Sequence, residues 1–181
     1  AEDRFPAADR FPAAAAAASP AALPSLVTPP PPAAPAAAEE DPRPHIHALA
    51  TAGRHPEAAT LAQAWEAHAL QACGNDSPEA THWREIRADL ARMAGDFPLA
   101  TRLWISAGRT RLAQQPPDAT EVLAAAAGAL YCWTQVHDHR AAAEAGPELV
   151  GLLDALPTMD RDLMARVRHR LESLERISSG G

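Results

Sequence analysis

The sequence predicts an all-α fold of antiparallel helix pairs stacked side by side as a short α-solenoid, about three pairs followed by a C-terminal capping helix. Three observations predict it. The segments Gly-Arg-His-Pro-Glu-Ala-Ala at 53–59, Gly-Asp-Phe-Pro-Leu-Ala-Thr at 95–101 and His-Asp-His-Arg-Ala-Ala-Ala at 137–143 recur at intervals of 42 residues. Apolar residues on either side of each segment return at helical spacing, so every unit has one face that only a neighbouring unit can bury. Gly, Pro and Asp stand between these stretches, where helices stop and start.

The first unit has a short first helix, about 45–52, because Pro42 and Pro44 block its extension. Its second helix runs over about 56–73, with Leu61, Trp65 and Leu70 on one side. In the middle unit Ser77 caps a helix that opens with Pro78 and runs to about residue 94. Its stripe is Trp83, Ile86, Leu90 and Met93, with Glu85 and Arg92 opposite. Gly95 stops it, and Asp96 caps the next helix, about 97–114, which Pro116-Pro117 ends. The third unit places Asp118 as N-cap, then a stripe of Val122, Ala126, Ala129, Leu130, Trp133 and Val136 with Tyr131 on the other side. A helix over about 140–156 follows, with a disturbance expected at Gly146-Pro147. A seventh helix, about 159–177, carries Leu163, Val167, Leu171 and Leu174 and covers the open edge of the last pair.

Composition separates a tether from this helical part. Residues 1–44 hold 16 alanines and 11 of the 18 prolines with almost no large apolar side chain, so they are expected to stay disordered. Within them Asp-Arg-Phe-Pro-Ala-Ala occurs twice, at 3–8 and 9–14, and reads as linker sequence or a short recognition segment. The helical domain is 45–177 and 178–181 is a flexible tail. The net charge of −7 is spread through both parts, and 161–176 is only locally basic, which argues against a nucleic-acid partner. Sixteen arginines stand beside no lysine, a bias that points to a high-GC bacterium. It also removes P-loop, Schiff-base and kinase-type lysine chemistry.

Cys73 and Cys132 lie 59 residues apart inside apolar helices, which predicts two reduced, packed thiols and a cytoplasmic setting. The longest apolar run, 122–133, is too short to cross a bilayer. No GxSxG, HExxH or glycine-rich phosphate loop occurs, so neither an enzyme nor a bound cofactor is expected. The eight histidines include the pairs His45/His47 and His137/His139, but no third ligand stands at a matching offset. His55 and His139 share the repeat position of Phe97, which predicts packing under a turn. The alternative is a small-ligand or metal-sensing domain that uses these histidines and the four tryptophans, Trp65, Trp83, Trp104 and Trp133, around an interhelical pocket.

Ala58, Ala100 and Ala142 occupy one place in each second helix, where a small residue lets two helices approach. A small or glycine turn followed five residues later by alanine, in helix pairs of this length, resembles the tetratricopeptide repeat in a 42-residue form, over 45 to about 156. The resemblance implies a scaffold that binds another protein or peptide, with self-association left open, in a concave groove lined by the first helices. The groove residues implied are His47, Glu85, Asp89, Arg92, Tyr131 and Thr134.

Overall fold

The computed structural model describes residues 41–157 and 159–179, so the tandem hexapeptide and nearly all of the tether lie outside the described residues. Among the described residues there are seven α-helices and no strand: α1 (Arg43–Thr51), α2 (His55–Cys73), α3 (Pro78–Met93), α4 (Phe97–Gln114), α5 (Thr120–Gln135), α6 (His139–Asp154) and α7 (Arg161–Ser179). Each helix packs on its neighbours in sequence, and α4 also touches α6. None of them is long and apolar enough to cross a membrane.

The 42-residue period is visible atom by atom in the turns. At the end of α1 the Gly53 amide donates to the Ala50 carbonyl and the Arg54 amide to the Leu49 carbonyl; at the end of α3 Gly95 donates to Arg92 and Asp96 to Ala91 in the same register. This is the paired C-terminal bond of a Schellman turn, and it needs a left-handed residue, which Gly53 (φ 76°) and Gly95 (φ 78°) supply. The third unit has His137 at that place and breaks the pattern. There α5 runs out with Val136 extended, and the guanidinium of Arg170, from α7, donates to the carbonyls of Thr134 and Val136 at 3.1 Å each. A side chain from α7, 36 residues further along the chain, thus satisfies the Thr134 carbonyl, the counterpart of the Ala50 and Arg92 carbonyls that the glycine turns satisfy in the first two units.

Ala58, Ala100 and Ala142 are all completely buried, as their shared repeat position predicts. The core divides into two main clusters, one from α1 to α3 around Trp83 and Leu90, the other from α4 to α7 around Ile105, Trp133, Leu149 and Leu153. Ala91, Ala100 and Cys132 form a smaller cluster of their own, with Phe97, Leu99 and Trp104 packed on it. The tryptophans are packing residues: Trp65 stacks on Trp83 at 5.7 Å, Trp83 donates to Glu79 at 2.9 Å, and Trp133 donates to the Ala142 carbonyl at 2.8 Å.

Ser77 caps α3 through the Ala80 amide, Asp96 caps α4 through Leu99, and Asp138 caps α6 through Arg140 and Ala141. Asp118 does not cap α5. The helix opens one residue later, with Ala119 at the N-cap and no side-chain bond, because Pro116-Pro117 and a turn bonded from Ala119 to the Pro116 carbonyl take up the extra residue. Nor is α6 broken at Gly146-Pro147. Gly146 lies against Leu171, and packing on α7 holds the helix through the proline until Asp154, two residues short of the expected end. His55 is half-buried at its turn, but His139 is exposed, since it opens α6 on the solvent side.

Two helical glycines with opposite surroundings give a direct test of packing. A Cβ on Gly128 would sit 2.9–3.2 Å from the Trp104 indole, a rigid ring, whereas one on Gly151 would meet nothing within 4 Å. Gly128→Ala is expected to destabilise by about 1–2 kcal/mol, because overpacking outweighs the better helix propensity. Gly151→Ala should stabilise by about 0.5–1 kcal/mol. Denaturant midpoints of the two variants check both signs.

Cys132 is sealed in the core, and burial pushes its thiol above the usual range, with Arg92 opposing and Asp89 adding to the shift. Cys73 is exposed at the end of α2, against the expectation of two packed thiols, because the helix ends there and the chain turns at Gly74. A thiol-reactive dye should therefore label one cysteine quickly in the folded chain and the second only after denaturation.

Candidate functional site

A groove of about 320 Å³ opens between α1 and α3. Its floor is Ile46, Ala50, Ile86 and Leu90, side chains that the two stripes bring together where the helices face each other. Its rim is polar and includes Arg43, His47, His82, Asp89 and Arg92. Met93 lies at its end, 44 % exposed, although it continues the α3 stripe on which Trp83 and Leu90 are buried. The stripe outruns its partner: α1 has only nine residues.

The rim is tied down by charge. Asp41 accepts from Arg43 Nε at 2.7 Å, a bond that holds its carboxyl below the ordinary range. The Arg43 guanidinium reaches His82 Nε2 at 3.4 Å, and since arginine only donates, that ring nitrogen is the acceptor. The other nitrogen, Nδ1, lies 3.7 Å from Glu85. Asp89 accepts from Arg92 Nε at 3.1 Å, one turn from Met93. The Asp41–Arg43 and Asp89–Arg92 pairs lie on the surface, where each contributes little to stability. Their effect is to hold polar atoms around an apolar strip.

Three of the six implied groove residues, His47, Asp89 and Arg92, line this groove. Glu85 does not. It takes both arms of the Arg111 guanidinium, at 2.9 Å each, and is half-buried between α3 and α4. Tyr131 is 52 % exposed on α5 but lies off the groove lining. Thr134 is a helix-end residue: its hydroxyl donates to the Tyr131 carbonyl at 2.7 Å and its own carbonyl accepts from Arg170. Sequence reasoning missed Arg43 and His82, whose side chains meet at 3.4 Å on the rim. The signal was present, because His82, Ile86, Asp89 and Met93 lie at helical spacing along one edge of α3.

Among the described residues no group of three or more His, Cys, Asp or Glu side chains is placed to hold a metal ion. Comparison with models of known protein families and with curated proteins finds no match.

Proposed function

We propose that the chain is a cytoplasmic, non-catalytic scaffold that binds another protein or a peptide, with the groove between α1 and α3 as the centre of its binding surface. The observation that carries this reading is an apolar floor left open beside a polar rim, with Met93 exposed at its end. A segment crossing the groove would bury an apolar side chain on Ile86 and Leu90 and meet hydrogen-bonding groups on both sides. The resemblance to tetratricopeptide repeats, proposed for the stacking of the three pairs as well, supports the same use of the first helices.

Peptides selected from a random displayed library against the full chain give the test. Arg92→Glu combined with Met93→Asp is expected to weaken the selected peptides by tenfold or more, about 1.4 kcal/mol. Tyr131→Ala should leave them within about twofold, less than 0.5 kcal/mol. Helicity and melting should be those of the native chain in both variants. Equal affinity for the doubly substituted chain, or protection of amides on α4 and α6 instead of α1 and α3, would refute the assignment.

A further inference from the structure

At the seam of α2 and α3 two arginines share one carboxylate. Glu66 Oε1 lies 3.3 Å from Arg84 Nε, and Glu66 Oε2 accepts from Arg87 Nη1. The remaining Arg84 nitrogens go to neutral oxygens, Asn75 Oδ1 at 3.1 Å and Thr110 Oγ1 at 3.5 Å. The three ionised groups therefore carry one unbalanced positive charge, in a place where Glu66 and Arg84 are only 5 % and 6 % exposed. An unbalanced charge in such surroundings is unfavourable, and a second anion that reached it would be held strongly.

Arg87 is the member through which an anion could reach it. Its side chain is 23 % exposed and lines a cavity of about 400 Å³ between α2, the end of α3 and the start of α4. That volume lies in the ~300–1,000 Å³ range of small-molecule sites. Much of the wall is apolar, with Ala59, Leu90, Ala91 and Leu99. His55 stands on the same wall, and its Nδ1 is buried without a hydrogen-bond partner. Asp96, the carboxylate on the wall, is engaged by the Leu99 amide at 3.1 Å.

We infer that this cavity binds a small apolar carboxylic acid, its carboxylate against the Arg87 nitrogens that Glu66 leaves free and its hydrocarbon body against Leu90, Ala91 and Leu99. One guanidinium and an apolar wall select that class: a polyanion would need more cations, a sugar more hydrogen-bonding groups, and an amine would meet like charge. The site is separate from the groove proposed for peptides, although Leu90 is a wall of both. Either can fail without the other.

The test is titration of the full chain with octanoate, with octylamine and 1-octanol as controls, read by amide chemical shifts. Octanoate is expected to shift the amides of Ala59, Leu90, Ala91 and Leu99 saturably, with a Kd below about 1 mM, and octylamine to bind at least tenfold more weakly. Arg87→Met, which keeps the length of the side chain, should weaken octanoate about tenfold and leave octanol unchanged. Ala59→Trp, at an exposed position on the cavity wall, should remove octanoate binding without touching the buried ions. Shifts that do not saturate or that map elsewhere would overturn the inference. So would undiminished octanoate binding by both Arg87→Met and Ala59→Trp.

Discussion

Glu66→Ala is expected to lower the stability of the helical domain by about 3–5 kcal/mol, the usual cost of removing one partner from a buried ion pair. Glu66 looks from its residue type like a surface charge, yet it is 5 % exposed and is the carboxylate that both Arg84 and Arg87 contact. Without it Arg84, itself 6 % exposed, keeps only the neutral oxygens of Asn75 and Thr110. The loss should appear as a melting point lower by about 6–20 °C, given roughly 2–4 °C per kcal/mol for a chain of this size. Arg84→Met in the same background should recover part of it, because the charge left unpaired is then gone. If Glu66→Ala melts within 2 °C of the native chain, the cluster is solvated and the buried-charge account of the α2–α3 seam is wrong.

The helices were legible in the sequence because their signals are local. The caps at Ser77 and Asp96 and the glycine turns at Gly53 and Gly95 each depend on a few neighbouring residues, and the structure has them where expected, whereas the third unit departs from the 42-residue pattern at His137. Asp118 failed as a cap because the turn after Pro116-Pro117 carries the chain one residue further, so that α5 opens from Ala119, whose side chain can accept no bond. The cross-helix polar pairs were not legible at all. Glu66 falls one turn after Ala62 on the buried side of α2, a place where a charge on an apolar stripe is a warning, but its partners lie about 20 residues away in α3. Glu85 misled in the opposite sense: helical phase sets it apart from the α3 stripe, and only the position of Arg111 on α4 shows that its side is covered. Half of the six groove residues that the repeat resemblance implied, His47, Asp89 and Arg92, line the groove, whereas their juxtaposition with Arg43 and His82 requires knowing how α1 lies on α3.

The third repeat unit should be the one that depends most on the capping helix. Trp133 is 1 % exposed; its indole donates to the Ala142 carbonyl at 2.8 Å and carries the Arg170 guanidinium 4.5 Å above its ring. Trp133→Ala is expected to cost about 3–5 kcal/mol from lost burial and the cavity left behind. Arg170→Ala removes two charge-assisted bonds to the end of α5 as well as the ring contact, and should cost about 2–3 kcal/mol. Because the Arg170 contact needs the ring, the double variant should be more stable than the sum of the two losses predicts, by about 0.5–2 kcal/mol. Arg170→Lys separates charge from geometry: an ammonium cannot reach the Thr134 and Val136 carbonyls as a fork while lying flat on the indole, so it should recover less than half of the loss. Burial lowers the Arg170 pKa from its ordinary value, but a guanidinium stays protonated far above neutral pH, so these differences should not change between about pH 6 and 9. Native-state hydrogen exchange locates the effect. Arg170→Ala should speed exchange in α5 and α6 and leave α1 to α3 protected, and equal acceleration along the whole chain would mean that α7 is not a local clamp on the third unit.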